Sequence, residues 1–364
     1  MTFSKRLIAW QRQHGRHGLP WQQSRDPYRV WLSEIMLQQT QVTAVIPYYL
    51  KFLDVFPTVF ALAKAPQQDV MAHWAGLGYY ARARNLHRCA QVIVEQFNGA
   101  FPRQAAVLAT LPGIGPSTAA AIAAFSHGER VSILDGNVKR VLARYRAIHG
   151  DPGKKDIERQ LWQIATALLP SEATLKKDPH AMTSHTQGLM DLGAMICTRG
   201  KPKCGSCPVQ PSCLAHAHSL TEVLPTPRMR LAIPDRETTM LIIEHDQHLL
   251  LVQRPQKGIW GGLWSLPEVH SGWTPSEQPP DWNADSKHPV SISKLAGFQH
   301  VFSHFRLHVQ PYALGFSGKS RPDLSSLGEI GATSWVPLKE MDGYGLPKPV
   351  KTLLAGWLQT SDTE

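Results

Sequence analysis

Four of the five cysteines lie in one short stretch and could bind a single metal centre. They are Cys197, Cys204, Cys207 and Cys213, spaced C-x6-C-x2-C-x5-C. Zinc sites more often use two C-x-x-C pairs, and here only Cys204 and Cys207 form such a pair. The spacing therefore favours an iron–sulfur cluster on four thiolates, with zinc or two disulfides as the alternatives. The fifth cysteine, Cys89, stands apart in an apolar helical pattern, which argues against disulfides and for a reducing compartment.

Two carboxylates lie in apolar sequence surroundings that suit acid–base chemistry. Glu34 lies within the apolar run Leu32–Met36, and Asp135 precedes a predicted helix that begins near Asn137. A carboxylic acid that stays protonated near neutral pH needs apolar surroundings, as Glu34 has. An acid and a carboxylate could together protonate a leaving group and stabilise a cation. The alternatives are a partly exposed helix position for Glu34 and helix capping, with Asn137, for Asp135.

A turn with two glycines joins two predicted helices in the sequence Leu111–Ala119. Gly113 and Gly115 can adopt positive φ and let the backbone come close to a partner. Pro116 suits the first turn of the alanine-rich helix that follows. Because the first N–H groups of a helix can bind phosphate, this turn is a candidate DNA contact. An ordinary helix–turn–helix connection is the alternative.

Composition and charge restrict the class of protein. A length of 364 residues predicts about two domains, and 43% apolar residues are enough for ordinary cores. Residues 1–220 contain 25 Lys and Arg against 13 Asp and Glu, a net charge of +12, whereas residues 221–364 contain 13 against 15, a net charge of −2. The first part therefore has the charge of a polyanion-binding domain. No apolar run is long enough for a membrane span or a signal peptide, so we expect a soluble cytoplasmic protein.

The elements that must position these residues differ between the two parts of the chain. Helical apolar spacing from Trp31 to about Leu192 predicts an all-α domain over residues 1–218 that ends in the cysteine loop at 197–213. The proline-rich stretch 219–237 predicts a linker. A strand–turn–strand pattern follows it, which predicts a mixed α/β domain over 238–364, with residues 270–290 in a loop.

The motifs together resemble a known family. A helix–hairpin–helix followed by a four-cysteine loop is similar to the endonuclease III-like DNA glycosylases, and within them to the adenine DNA glycosylases. The segments that carry the narrower resemblance are Trp31–Gln41, Gly76–Tyr80, Arg84–Leu86, Leu134–Val141, Gly258–Trp264 and Phe302–His304. The resemblance covers most of the chain and implies a helix–hairpin–helix glycosylase domain followed by a Nudix-like domain. It also implies a [4Fe–4S] cluster on the four cysteines.

The resemblance implies a role for each candidate residue. It makes Glu34 the proton donor and Asp135 the carboxylate that stabilises the sugar cation, with Asn137 in the same catalytic motif. Gln187 would face the extruded adenine, and the Ser303–His304 loop would recognise 8-oxoguanine opposite it. The implied DNA contacts are Gln39, Leu77, Tyr79, Gly113, Gly115, Ser117 and Lys139. The expected partner is double-stranded DNA with adenine paired to 8-oxoguanine or guanine. We expect the protein to act on chromosomal DNA as a monomer and to bind no membrane.

Ser117 distinguishes two reaction types within the family. Bifunctional relatives carry a lysine at this position of the hairpin, and that amine attacks the sugar and later cleaves the strand. A hydroxyl cannot form the Schiff base, so we expect a monofunctional enzyme. The remaining alternatives are an endonuclease III-like lyase, which Ser117 disfavours, and a non-catalytic iron–sulfur DNA-binding protein, which Glu34 and Asp135 disfavour. The second domain lacks the Arg-Glu-x-x-Glu-Glu helix of Nudix hydrolases, which predicts a binding domain without hydrolase activity.

Overall fold

The structure is a computed structural model that describes residues 1–228, 232–269, 271, 273, 291–316, 321 and 332–361. The chain divides into two compact units, and each is made of two segments. The first unit comprises Met1–Lys64 and Asn85–Arg230, and the second comprises Ala65–Arg84 and Leu231–Glu364. Assignment of the short segment 65–84 to the second unit has no counterpart in the sequence pattern.

The first unit is helical, which confirms the all-α prediction. Its helices are α1 (Phe3–His14), α2 (Pro27–Leu37), α3 (Val42–Val55), α4 (Val59–Lys64), most of α6 (Ala81–Phe97), α7 (Ala105–Leu108), α8 (Pro116–His127), α9 (Gly136–Tyr145), α10 (Lys155–Ala167), α11 (Glu172–Lys177), α12 (Ala181–Asp191) and α13 (Leu214–Ala217). Helix α1 begins well before the periodic pattern at Trp31, and Leu7 and Ile8 face its core side. The core draws on α1, α8, α9, α10 and α12.

Local capping sets the start of the helices that carry the site. The Asp26 side chain caps α2 by accepting a hydrogen bond from the Tyr28 N–H at 3.0 Å, and Pro27 occupies the first turn. The alanines of α8, from Ala119 to Ala124, are buried with Ile122 among them. Such small side chains let neighbouring helices approach closely, and α8 packs against both α2 and α12.

The second unit contains α5 (Gln67–Trp74), a mixed sheet and a C-terminal helix. The strands are β1 (Asp235–His245), β2 (His248–Gln253), β3 (Trp264–Ser265), β4 (Glu268–Val269), β5 (Ser291–Lys294), β6 (Phe298–Val301), β7 (Arg306–Phe316) and β8 (Thr333–Pro337), and the helix is α14 (Lys348–Ser361). β1 pairs in parallel with β7 and antiparallel with β2. The predicted mixed α/β fold is therefore confirmed, and β1 begins inside the stretch 219–237.

The strand–turn–strand prediction is confirmed, except that His245, predicted in the turn, is the last residue of β1. His245 pairs with His248, so the hairpin turn consists of Asp246 and Gln247, both with positive φ (48° and 57°). Two such residues give the turn whose twist matches that of the flanking strands. The predicted loop at 270–290 lies outside the described residues except for Ser271 and Trp273, and Trp273 is buried against the sheet. None of the described helices combines the length and apolar character needed to cross a membrane.

Candidate active site

Glu34 lies on α2 and lines a cavity of about 350 Å³ in the first unit. Trp21, Val30 and Leu37 contribute apolar walls, and Gln187 lines the same cavity. Burial, with a smaller contribution from the negative charge of Asp135, raises the pKa of Glu34 to about 8. Glu34 therefore keeps its proton at neutral pH while facing a space into which a base would fit, as a general acid requires.

Asp135 is positioned by a helix start and by the hairpin. It is the N-cap of α9 and accepts a hydrogen bond from the Val138 N–H at 2.8 Å. One residue earlier, the Leu134 N–H donates to the Ser117 hydroxyl at 2.9 Å. The capping alternative for Asp135 is thus realised in the structure, and the cap fixes its carboxylate within electrostatic reach of Glu34.

The candidate residues at the start of α9 have protein partners. The Asn137 side-chain oxygen accepts a hydrogen bond from Arg140 Nη2 at 2.9 Å, and Arg140 Nε donates to the Cys197 carbonyl at 2.8 Å. Arg140 thereby links the start of α9 to the beginning of the cysteine loop. Lys139 Nζ forms an ion pair with Glu158 at 2.7 Å on α10, so a phosphate contact would have to compete with this pair.

The hairpin turn lies close to Asn85 at the second turn of α6. Gly113 has a φ of 75°, and a Cβ placed on it would come within 2.7 Å of the Asn85 Cβ. A larger residue would therefore be strained and would push the two segments apart.

Gly115 caps α8, and Gln39 is an exposed residue with a φ of 57°. A positive φ raises the conformational energy of a non-glycine residue, and such residues concentrate at binding sites.

The four cysteines line one small cavity of about 20 Å³. Arg144 is almost fully buried beside it and donates to the Cys197 Sγ at 3.4 Å and to the Thr198 carbonyl at 2.6 Å. Burial raises the pKa of the Cys207 thiol to about 11, while the backbone N–H of Val209 lowers it. A guanidinium and backbone N–H groups aimed at sulfur fit an anionic thiolate centre. In the described part of the chain, no three His, Cys, Asp or Glu side chains are placed to hold a single metal ion.

A buried carboxylate behind Gln187 and its half-buried arginine partner were missed by sequence reasoning. Asp191 follows Gln187 by one helical turn on α12 and accepts a hydrogen bond from its amide at 2.9 Å. Arg16 lines the Glu34 cavity and forms an ion pair with Asp191 at 2.7 Å. The i, i+4 spacing of Gln187 and Asp191 was visible in the sequence, whereas nothing local connects Arg16 to either.

The turn that carries Leu77 and Tyr79 belongs to the second unit. Tyr79 is half exposed with a φ of 51°, whereas Leu77 is buried. The Arg82 guanidinium lies 5.3 Å from the Tyr79 ring and 5.5 Å from the Trp74 ring. Trp74 Nε1 donates to the Gly78 carbonyl at 3.1 Å, and Arg82 donates to the same carbonyl. These contacts hold the aromatic ring outward before any ligand binds.

Ser303 and His304 are both exposed at the tip of the loop between β6 and β7. Aromatic contacts anchor this loop from both sides: the Phe302 ring lies 4.7 Å from the Phe305 ring and 5.4 Å from the Trp260 ring. Trp260 lies in the glycine-rich segment that the resemblance includes. The anchored loop presents a hydroxyl and an imidazole to solvent, which are groups able to read a base edge.

Comparisons with known proteins show which families the two parts of the chain are similar to. The family model described as HhH-GPD superfamily base excision DNA repair protein matches residues 32–166, and a NUDIX domain model matches residues 238–356. The adenine DNA glycosylase of Buchnera aphidicola subsp. Acyrthosiphon pisum is 37% identical over 97% of this chain and 96% of its own. The human adenine DNA glycosylase is 34% identical over 88% of this chain and 68% of its own.

A solved structure supports the fold of the first unit. A thermostable thymine-DNA glycosylase superposes with a TM-score of 0.52 and 28% identity, over 59% of this chain and 95% of that one. The predicted resemblance, including the glycosylase fold and the Nudix-like domain, is therefore confirmed. The chain is a DNA glycosylase of base excision repair and belongs to the adenine DNA glycosylase family.

Proposed function

We propose that this enzyme removes adenine paired with 8-oxoguanine or guanine and leaves the DNA backbone intact. The observation that carries the proposal is the position of Glu34 on the lining of a cavity of base-sized dimensions, where burial and the charge of Asp135 raise its pKa. The similarity to adenine DNA glycosylases supports adenine as the base. A glycosylase must extrude the nucleotide to reach its glycosidic bond, and the Glu34 cavity is the place in the first unit that can receive the base.

The two carboxyl groups address the two charges of the reaction. Glu34 donates its proton to a ring nitrogen of adenine, so that the base leaves as a neutral molecule when the bond between the sugar C1′ and N9 breaks. The Asp135 carboxylate stabilises the positive charge that develops on the sugar. Water then adds to C1′ and releases a proton, which gives an abasic sugar and free adenine. Asn137, held by Arg140, stands two residues from Asp135 and keeps this segment in place.

Ser117 supports the monofunctional outcome. Its hydroxyl accepts a hydrogen bond from the Leu134 N–H, so it fixes the segment that leads into Asp135. A hydroxyl at this position offers no amine to the sugar, and the strand should stay intact.

The four thiolates, we infer, hold a [4Fe–4S] cluster. Their common cavity, the Arg144 donor at Cys197 and the backbone N–H near Cys207 match the needs of an anionic cluster. When bound, the cluster would cross-link the loop and so order the basic residues within it. Lys201 and Lys203 would then be available to DNA phosphates.

The second unit, in this proposal, reads the base opposite adenine through Ser303 and His304. The support is their exposure on a loop anchored by Trp260, Phe302 and Phe305. The sequence lacks the Arg-Glu-x-x-Glu-Glu helix that holds the metal in Nudix hydrolases. Recognition without hydrolysis is the function that this arrangement supports.

Base release from duplexes with adenine opposite 8-oxoguanine, guanine or thymine tests the proposal. We expect release opposite 8-oxoguanine and guanine, with abasic products that break only after alkali. The double substitution Ser303→Ala/His304→Ala should lower the 8-oxoguanine to guanine rate ratio by roughly 5- to 150-fold, the effect of one good base contact. No adenine release from the wild type would refute the proposal, and an unchanged ratio in the variant would refute the role of the loop.

A further inference from the structure

The Gln187 amide donates a hydrogen bond to the buried carboxylate of Asp191, which takes no part in the proposed reaction. Asp191 is fully buried at the end of α12, behind the cavity that Glu34 and Gln187 line. Burying a carboxylate is costly unless it is paired and hydrogen-bonded, so its partners show what it does.

The Asp191 carboxylate accepts three hydrogen bonds from two residues. Its Oδ1 accepts from Arg16 Nε at 2.7 Å and from Gln187 Nε2 at 2.9 Å, and its Oδ2 accepts from the Arg16 backbone N–H at 3.0 Å. The carboxylate lies against Gly15, where an added Cβ would come within 2.9 Å of Oδ2. The side chain is therefore confined on both oxygens.

The pairing fixes which atom of the Gln187 amide faces the cavity. A carboxylate paired with a guanidinium can only accept hydrogen bonds, so the Gln187 group that points at it must be the NH₂. The chemistry of the partners settles this orientation, independently of how the two similar amide atoms are told apart. The amide oxygen is then the atom that remains for a ligand.

From this geometry we propose that Asp191 is a positioning residue that selects 6-amino over 6-oxo purines by fixing the orientation of the Gln187 amide. The inference rests on the proposed function, because it takes the Glu34 cavity as the place of the extruded base. An acceptor at Gln187 and a guanidinium at Arg16 match an exocyclic amine beside a ring-nitrogen acceptor, the pattern of adenine. A 6-oxo purine would bring its carbonyl oxygen against the Gln187 oxygen and leave both without a donor.

The substitution Asp191→Asn tests the orientation directly. The Arg16 backbone N–H cannot turn away, so the new side-chain oxygen should stay at the Oδ2 position. The new NH₂ then takes the Oδ1 position, where it faces Gln187 and forces the Arg16 guanidinium, which also donates there, to turn away. The Gln187 amide would then reverse and present its NH₂ to the cavity. We expect the ratio of adenine release to hypoxanthine release, each opposite 8-oxoguanine, to fall roughly 10- to 100-fold relative to wild type.

Controls separate positioning from loss of structure. Rates are measured under single turnover in the full-length protein and normalised to the fraction of active enzyme, so that partial unfolding lowers both rates and leaves their ratio unchanged. Glu172→Gln changes an exposed carboxylate that is paired with Arg130, and its ratio should equal that of wild type. Gln187→Leu removes the amide and should lower the ratio as Asp191→Asn does.

The double variant decides whether Asp191 acts through Gln187. In the Gln187→Leu background, Asp191→Asn should change the ratio no further. An unchanged ratio in Asp191→Asn, or a further fall in the double variant, would overturn the proposal. If Asp191→Asn does not fold, a Gln187→Leu ratio equal to that of wild type overturns it, and a lowered one supports it. Failure of the proposed function looks different, because the wild type itself would then release no adenine.

Discussion

Replacing Glu34 with glutamine should separate catalysis from stability. The substitution keeps the size and polarity of the side chain but removes the proton that we assign to adenine. We expect adenine release to fall roughly 10²- to 10⁴-fold, which is the usual contribution of a general acid. DNA binding should persist, because a neutral amide replaces an acid that is neutral at pH 7. The wild-type rate should also decline as the pH rises through about 8, where Glu34 loses its proton.

The same substitution should stabilise the folded protein at neutral pH. The pKa of Glu34 is near 4.5 in the unfolded chain and about 8 in the folded one, so between these values the folded state binds the extra proton. Stability is therefore full below pH 4.5 and declines as the pH rises to 8. At pH 7 the difference of 2.5 pH units corresponds to at most about 3 kcal/mol of unfolding free energy. Glutamine does not titrate and avoids this cost.

Urea unfolding of both proteins at pH 5, 7 and 8.5 measures the effect. The stability advantage of Glu34→Gln should grow by roughly 1.4 kcal/mol per pH unit between pH 5 and 8. Glu172→Gln serves as the control, because Glu172 is exposed and its stability curve should run parallel to that of wild type. Parallel curves for Glu34→Gln, or adenine release at close to the wild-type rate, would refute the reasoning about this side chain.

Three further substitutions probe other parts of the first unit. Ser117→Lys should introduce an amine at the hairpin and yield a borohydride-trapped DNA adduct, whereas wild type should not trap; trapping by wild type would contradict the monofunctional assignment. Burial lowers the pKa of His185 to about 4, so its contribution to the unfolding free energy is complete above pH 6.5 and falls by up to about 3 kcal/mol toward pH 4. His185→Phe should therefore make the unfolding free energy, measured by urea titration, less dependent on pH between 4 and 6.5. An unchanged pH dependence would refute the idea. Arg144→Leu should lower the iron content after purification and weaken the visible absorbance, because Arg144 donates to the Cys197 sulfur. Arg146→Leu, which loses a stack on Tyr145, is the control and should change neither. Equal iron content in both variants would show that Arg144 does not stabilise the cysteine site.

Sequence patterns predicted the features that depend on nearby residues. The four cysteines share one cavity, as their spacing indicates, and the Asp246–Gln247 turn joins two strands, as the two apolar runs on either side of a polar turn indicate. Helix starts such as the one at Asp135 follow from a capping side chain and its neighbours. Each of these features is determined within a few residues, so a single sequence suffices to predict it.

The features that sequence did not predict join distant parts of the chain. Arg16 reaches Asp191 across 175 positions, and Arg144 reaches the Leu224 carbonyl across 80. Neither arginine differs in its local sequence from one on a solvated helix face. Burial is what makes these contacts specific, and burial depends on the complete fold. The function of Asp191 could therefore be argued only once its partners were known.

The second unit is built from two segments that are far apart in the chain, so the ribosome makes one of them well before the other. The Arg84 guanidinium donates a hydrogen bond to the Gly261 carbonyl, and Gly345 packs closely on the backbone of Met71 and Ala72. A ribosome makes the chain from Arg84 to Gly261 in roughly 10 to 35 s at 5–20 residues per second. During that interval the turn with Tyr79 has been made, but these partners do not yet exist.

A nascent or prematurely terminated chain therefore carries residues 65–84 without the segment that completes their packing. The backbone of Met71 and Ala72, which Gly345 approaches in the finished protein, would lack that neighbour in such a chain. Nonsense mutations after residue 230 should consequently affect the Tyr79 turn as well as the Ser303–His304 loop.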